Sequence, residues 1–250
     1  MCLITLAWQA HPRHRLLLAA NRDEWRDRPA AAAHRWPEAP HVIAGRDLRA
    51  GGTWMGATQD GRFAAVTNFR NPADRRAAPR SRGDLVSAFL LGSEEPLAYL
   101  DTVARRAGDY QGFNLLVADH RTLACYSNRD PQVHVLEPGV HALSNHLLNT
   151  PWPKVRRARA ALAQSIEAGD EALFALLADT TVPADTQLPD TGVGLERERQ
   201  LAPVLITGEH YGTRASTVLR LGRDGGRLEE RSLDPHGRVA SVVAFDLPAA

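Results

Sequence analysis

The order in which short apolar runs and helix-periodic segments follow one another is the strongest constraint on this chain: strands, helices, strands, helices, strands. Residues 3–8 and 16–20 are apolar runs separated by the polar turn His11-Pro12-Arg13-His14. Residues 52–57 and 62–68 flank Gln59-Asp60-Gly61, and Asp-Gly between apolar runs signals a hairpin. Ser81 is a plausible N-cap for a helix whose Leu85, Val86, Phe89 and Leu90 fall at helical spacing. A second helix is expected over 96–107, and strands over 113–118, 122–126, 133–136 and 141–144. Residues 152–168 give the clearest helix, with Val155, Ala158, Leu162 and Ile166 on one face, Pro153 in the first turn and Gly169 after the end. A further helix is expected over 170–177 and a long loop over 180–195. A hairpin over 216–221 and 227–233 turns at Asp224-Gly225-Gly226, and 239–245 is the last strand. The Ala-rich stretch 28–33 reads as a loop. This is not the strict alternation of a doubly wound sheet. It predicts an α+β layer architecture, antiparallel sheets covered by helices, in a single domain over 1–250.

Composition narrows the function classes. Thirty basic side chains against 29 acidic ones leave a formal charge of +1, and no basic run concentrates a field, so nucleic acid is not expected as a partner. No apolar run approaches the roughly 18 residues of a membrane span. The apolar N-terminus lacks a basic region before it and is a poor signal peptide, so a cytoplasmic protein is the simplest expectation. Cys2 and Cys125 make no disulfide framework, and Cys125 reads as a buried core thiol. The histidines show no zinc-ligand spacing with a cysteine, so no metal is expected. Lys154 is the only lysine; the arginine bias reads as coding composition, and no function is drawn from it.

Cys2 is the most informative candidate. A small residue at position 2 commonly allows Met1 to be removed, which places the thiol beside its own α-amine. An α-amine titrates near 7.7–8.0, roughly, and is a better base at neutral pH than a lysine near 10.4. Nucleophile and base then lie in one residue. Position alone is also that of a small apolar residue on a strand. Asn21-Arg22-Asp23-Glu24 follows the second run and offers an amide, a fixed cation and two carboxylates, although a solvated turn has the same composition. Trp54 and Trp152 suit either a ligand cleft or a core.

The chain resembles the NRDE family, which is named for this tetrapeptide and includes the Transport and Golgi organisation protein 2 group. Carrying the resemblance are the start Met1-Cys2-Leu3-Ile4, Gly51-Gly52-Thr53-Trp54-Met55-Gly56, Gly61-Arg62-Phe63-Ala64-Ala65-Val66-Thr67-Asn68 and Ser81-Arg82-Gly83 with Leu85-Val86. It continues through Gly112-Phe113-Asn114-Leu115-Leu116, Leu143-Ser144-Asn145, Leu148-Asn149-Thr150-Pro151-Trp152-Pro153-Lys154-Val155, Tyr211-Gly212-Thr213-Arg214 and Ser216-Thr217-Val218. That family is distantly similar to N-terminal nucleophile hydrolases of the bile-salt hydrolase and penicillin V acylase branch. The resemblance implies an αββα four-layer sandwich. It matches Cys2 to the nucleophile, Asp23 to the aspartate that orients the α-amine, Asn68 to an oxyanion-hole asparagine and Asn145 to the second asparagine near the nucleophile. Arg214 stands for the late arginine of the site. The arginine that precedes the aspartate has no counterpart in place: Ala20 falls there, and Arg22 is displaced by two. Read from the residues alone, Asn68 and Asn145 end predicted strands, where an amide also caps backbone groups.

Two functions follow as expectations. One is an N-terminal-cysteine hydrolase or acyltransferase that cleaves an amide or thioester of a small molecule and requires no cofactor. The other is a non-catalytic protein on the same scaffold that binds and traffics an amphipathic small molecule, with haem, a lipid or acyl-CoA as candidate ligands.

Overall fold

A computed structural model describes residues 2–74 and 77–249. Its strands are β1 (Cys2–Trp8), β2 (His14–Trp25), β3 (Ala30–Trp36), β4 (Ala39–Asp47), β5 (Met55–Thr58), β6 (Phe63–Asn68), β7 (Phe113–Ala118), β8 (Leu123–Ser127), β9 (Asp130–Val135), β10 (Gly139–Leu143), β11 (Tyr211–Gly222), β12 (Gly225–Leu233) and β13 (Val239–Leu247). Its helices are α1 (Gly83–Leu91), α2 (Pro96–Arg105), α3 (Pro153–Gln164), α4 (Asp170–Leu177) and α5 (Leu195–Leu201).

The strands form two antiparallel sheets, one ordered β10-β1-β2-β11-β12-β13 and the other β3-β4-β5-β6-β7-β8-β9. Alternation along β1 and β2 explains the layering. Ile4, Leu6, Trp8, Leu16, Leu18 and Ala20 point inward and pack against Ile43, Met55, Phe63, Ala65 and Leu116 of the facing sheet. The intervening Ala7, Leu17 and Ala19 point outward onto Leu162 of α3 and Leu173, Phe174 and Leu177 of α4. The outer face of the other sheet packs Val42, Ala64 and Val117 against α1 and α2 through Leu85, Phe89, Leu100 and Val103. The result is the αββα sandwich, in which each fully buried leucine contributes roughly 1.5–3 kcal/mol. Among the described residues no helix is long and apolar enough to cross a membrane.

Several local expectations are corrected. The Ala-rich stretch is not a loop from Ala30 onward: it is β3, whose Ala33 packs in the core and donates its N–H to Glu230 at 2.8 Å. Alanine has little β-propensity, and tertiary packing overrides it here. The 180–195 region is a loop with one 3₁₀ turn at Asp185–Gln187, except that its last residue, Leu195, begins α5. α3 ends at Gln164, four residues before the predicted limit, and the ensuing turn breaks its periodicity. Arg82, not Ser81, occupies the N-cap position of α1, and the Ser81 hydroxyl instead accepts the Gly83 N–H at 3.3 Å. The turn containing His11 and His14 is not simply solvated. The two rings stack at 4.6 Å, and His11 Nδ1 accepts the N–H groups of Arg13 and His14.

The start of α1 lies against the strand entry at Gly52. A Cβ on Gly52 would meet the Gly83 carbonyl carbon at 2.6 Å, so glycine at position 52 is what brings Arg82 beside the ends of β1 and β2.

Candidate active site

Asn21-Arg22-Asp23-Glu24 is not a turn after the second strand; it is part of β2. Its four polar groups therefore alternate between faces. Asn21 faces the helix layer, where its Nδ2 donates to the carbonyls of Leu177 and Val204, both at 2.9 Å, and its Oδ1 accepts the Ser216 hydroxyl at 2.7 Å. Asp23 shares that face and accepts the Thr213 hydroxyl at 2.7 Å. Arg22 and Glu24 take the opposite face and approach each other at 3.7 Å.

Cys2 pairs with Arg22 across the β1–β2 ladder and is 8% exposed. Burial pushes its thiol pKa up. The nearby Asp23 charge adds to that rise, while Arg22 and the Asp23 backbone N–H, which hydrogen-bonds the sulfur, oppose it. Met1, and with it the expectation that its removal frees an amine at Cys2, lies outside the described residues.

Cys2 opens onto a cleft of about 890 Å³ walled by β2, β3, β4, the end of β6, the segment leading into α1, β11 and β12. Asn68 lines this cleft. Among the described residues its side-chain amide has no protein partner, whereas its backbone carbonyl accepts Asn145 Nδ2 at 2.9 Å. Asn145 is fully buried outside the cleft wall. Its Oδ1 accepts the Ser144 hydroxyl at 3.2 Å, and that hydroxyl also bonds the Cys2 carbonyl at 3.0 Å. Asn145 thus ties the end of β6 to the start of β1, so its amide is already committed to the protein.

Arg214 reaches the cleft through a β-bulge. Thr213 pairs with Asp23 and Ala215 with Arg22, leaving Arg214 as the extra residue. Its guanidinium bonds the carbonyls of Trp25 and Arg28. Arg28 and Arg82 add further positive charge to the wall, with Arg28 paired to Asp47 at 2.6 Å and Arg82 donating to the Gly112 carbonyl at 3.2 Å. Trp54 lines the cleft, while Trp152 packs beneath the Arg70 guanidinium at 4.7 Å. Among the described residues no group of His, Cys, Asp or Glu could hold a metal ion.

Behind Asp23, on the helix side, lies a charged cluster that sequence reasoning missed. Arg70 pairs with Glu198 of α5 at 2.6 Å, and both are buried. Glu198 also accepts the Thr191 hydroxyl and N–H. Lys154, in the first turn of α3, is 3% exposed and donates to the Leu201 carbonyl at 3.0 Å. Burial depresses its pKa to about 8, with Asp23 opposing the shift. Burial likewise pushes the Asp23 carboxyl up, against the pull of Lys154. One signal was available: a single lysine in a chain that otherwise uses arginine.

Superposition on solved structures shows which fold this is. Over 99% of this chain and 92% of the other, the fold matches a mutant of the conjugated bile acid hydrolase from Clostridium perfringens, with a TM-score of 0.54 at 8% identity. A second variant of that enzyme matches at 0.51. The protein has the fold of the N-terminal nucleophile hydrolases. Within that class its sequence is more specific: residues 1–235 match the family model Transport and Golgi organisation 2. The chain is 36% identical to the Transport and Golgi organization protein 2 homolog of Bos taurus and 34% identical to that of Homo sapiens, in each case over 90% of both chains. The Drosophila melanogaster protein is 27% identical over 95% of both. The chain belongs to this family.

Proposed function

We propose that this protein is a cysteine-nucleophile hydrolase or acyltransferase acting on the amide or thioester of a small molecule. The observation that carries this reading is that the Cys2 thiol, the Asp23 N–H and the Asn68 amide, which has no partner among the described residues, share one cleft. The Cys2 sulfur attacks the substrate carbonyl, forming a C–S bond and an oxyanion. Asn68 and a backbone N–H receive that oxyanion; each such donor is worth about 2.7–4 kcal/mol in hydrolases of known mechanism. Collapse breaks the bond to the amine or thiol, which leaves with the proton that the Cys2 thiol gave up, relayed by water in the cleft. Water then attacks the thioester, releasing a carboxylic acid and restoring the thiol; an acceptor amine or thiol in place of water gives acyl transfer. The nucleophile and the oxyanion donors come from the chain.

The test is turnover of a panel of N-acyl amides and acyl thioesters. Cys2→Ala is expected to abolish it, and Asn68→Ala to lower kcat about 10²–10³-fold. Turnover that survives Cys2→Ala overturns the reading.

A second reading, binding and trafficking of an amphipathic anion, is favoured by the wall itself, where Arg22, Arg28, Arg82 and Arg214 share the lining with apolar Trp54 and Val66. For haem, Cys2 is the one side chain of the cleft wall, among the described residues, of a type that ligates iron. A Soret band on haem titration that Cys2→Ala displaces supports this reading, and an unshifted spectrum of free haem counts against it.

A further inference from the structure

The inward face of three strands changes character where they reach the site. Ile4 of β1, Ala65 of β6 and Leu116 of β7 belong to the apolar core between the sheets. Two residues along on the same faces stand Cys2, Thr67 and Asn114. Ser144 and Asn145 follow β10 directly. Thr67, Asn114, Ser144 and Asn145 are each at most 2% exposed. A buried polar group costs free energy unless it is hydrogen-bonded, and valine, leucine or alanine would fill these places without that cost. What the four residues add is directed bonds, which apolar packing cannot supply.

Those bonds run in one chain. Asn114 Nδ2 donates to the Thr67 hydroxyl at 3.1 Å and to the His146 carbonyl at 3.0 Å. The Thr67 oxygen is thereby an acceptor, and its own proton goes to the Ser144 carbonyl at 2.6 Å. The Ser144 hydroxyl donates to the Cys2 carbonyl at 3.0 Å, and the Asn145 amide donates to the Asn68 carbonyl at 2.9 Å. The β1–β10 ladder reaches Ile4, opposite Leu143, and stops short of Cys2, so the Ser144 hydroxyl takes hold of the strand where the ladder ends. Cys2 and Asn68 stand on different sheets. Two consecutive residues, Ser144 and Asn145, hold the backbone of both, and Thr67, the neighbour of Asn68, holds Ser144 in turn.

We propose that Ser144 and Thr67 are positioning residues: their hydroxyls fix the Cys2 sulfur relative to the Asn68 amide, so that a carbonyl attacked by the one lies within reach of the other. The inference rests on the hydrolase or acyltransferase reading. Neither Ser144 nor Thr67 lines the cleft, so each acts through the backbone it holds and not on a substrate.

Two reactions of Cys2 separate this role from a merely structural one. In acylation by the octanoyl thioester of N-acetylcysteamine, a new C–S bond to Cys2 replaces the old one, and N-acetylcysteamine leaves with the thiol proton. An oxyanion develops, so this step uses Asn68. Alkylation by iodoacetamide forms a C–S bond and releases iodide, with no oxyanion. In Ser144→Ala and in Thr67→Val the acylation rate is expected to fall about tenfold or more, while alkylation stays within about twofold of the wild type. Thr67→Ser, which keeps the hydroxyl, is expected to recover most of the loss. In an Asn68→Ala background, Thr67→Val is expected to slow acylation little further, because the group it positions is gone. Acylation and alkylation that fall together, or acylation unchanged in both variants, overturns the proposal. So does a Thr67→Val loss as large in Asn68→Ala as in the wild type. If Ser144→Ala does not fold, Thr67→Val, which keeps the side-chain shape, carries the test. Failure of the hydrolase reading is separate: the wild type would then be alkylated at Cys2 but never acylated.

Discussion

The Thr213 hydroxyl donates to Oδ1 of Asp23 at 2.7 Å, joining two residues 190 positions apart that the β2–β11 ladder places directly opposite each other. The same hydroxyl accepts the N–H of Ile206 at 2.9 Å. One side chain thus orients the buried carboxylate and satisfies the loop that leads into β11.

Thr213→Val keeps the shape and deletes both bonds. It is expected to lower stability by about 1–3 kcal/mol, because a buried N–H and a buried carboxylate each lose a partner. Thr213→Ser is expected to restore most of the loss. Urea denaturation with a shared m value checks both.

Asn21 makes a parallel case within the same tetrapeptide. Its amide closes onto Leu177, Val204 and Ser216, all on the helix side, and it takes no part in the cleft. Asn21→Ala is expected to cost about 2–4 kcal/mol by leaving carbonyl groups unpaired in the interior. Where the variant still folds, the alkylation rate of Cys2 should change little. A stable Asn21→Ala protein would contradict the structural role.

The Arg70–Glu198 pair is expected to behave as a unit. Either Arg70→Met or Glu198→Gln alone should destabilise by about 3–5 kcal/mol, because the other charge is left buried. The double variant should lose less than the two singles together. A double-mutant cycle reads the coupling directly.

Lys154 also links stability to pH. Its folded pKa of about 8 lies below the unfolded value near 10.4, so between these values the unfolded chain holds a proton that the folded protein lacks. This term makes stability rise with pH across that window, by about 3 kcal/mol in all at about 1.4 kcal/mol per unit. The buried thiols act in the opposite sense above about pH 8.5, because burial raises Cys2 and takes Cys125 up to about 12. The Lys154 contribution is therefore the difference between wild type and Lys154→Met, and that difference should shrink from pH 8 to 10.4. A difference independent of pH would contradict the depressed lysine.

The layer architecture was legible because its signals are local. The apolar runs of β1 and β6, the Asp60-Gly61 turn and the helical faces of α1 and α3 each rest on a few neighbouring residues. Cys2, Arg22, Asn68 and Arg214 were expected at the site, and all four line the cleft. Asp23 is at the site but faces the helix layer, and Asn145 is spent on Ser144 and the Asn68 backbone. Those differences depend on facing directions, which a strand fixes only once its limits are known. Placing Asn21-Arg22-Asp23-Glu24 beyond the end of the strand hid the alternation that separates its members. The strand β3 was missed because polyalanine shows no period. Lys154, Arg70 and Glu198 meet only through tertiary packing of α3, α5 and the segment after β6, and no spacing in the sequence announces them.

The proposed hydrolase or acyltransferase chemistry requires a covalent acyl intermediate on Cys2 in the cleft. The most direct measurement is intact mass followed by peptide mapping, after brief exposure to the octanoyl thioester of N-acetylcysteamine and acid quench. One added octanoyl group is expected, carried by Cys2 and absent in Cys2→Ala, with Cys125 unmodified. An unacylated protein that nonetheless binds the thioester as tightly in Cys2→Ala as in the wild type would contradict it, and would make the cleft a carrier site.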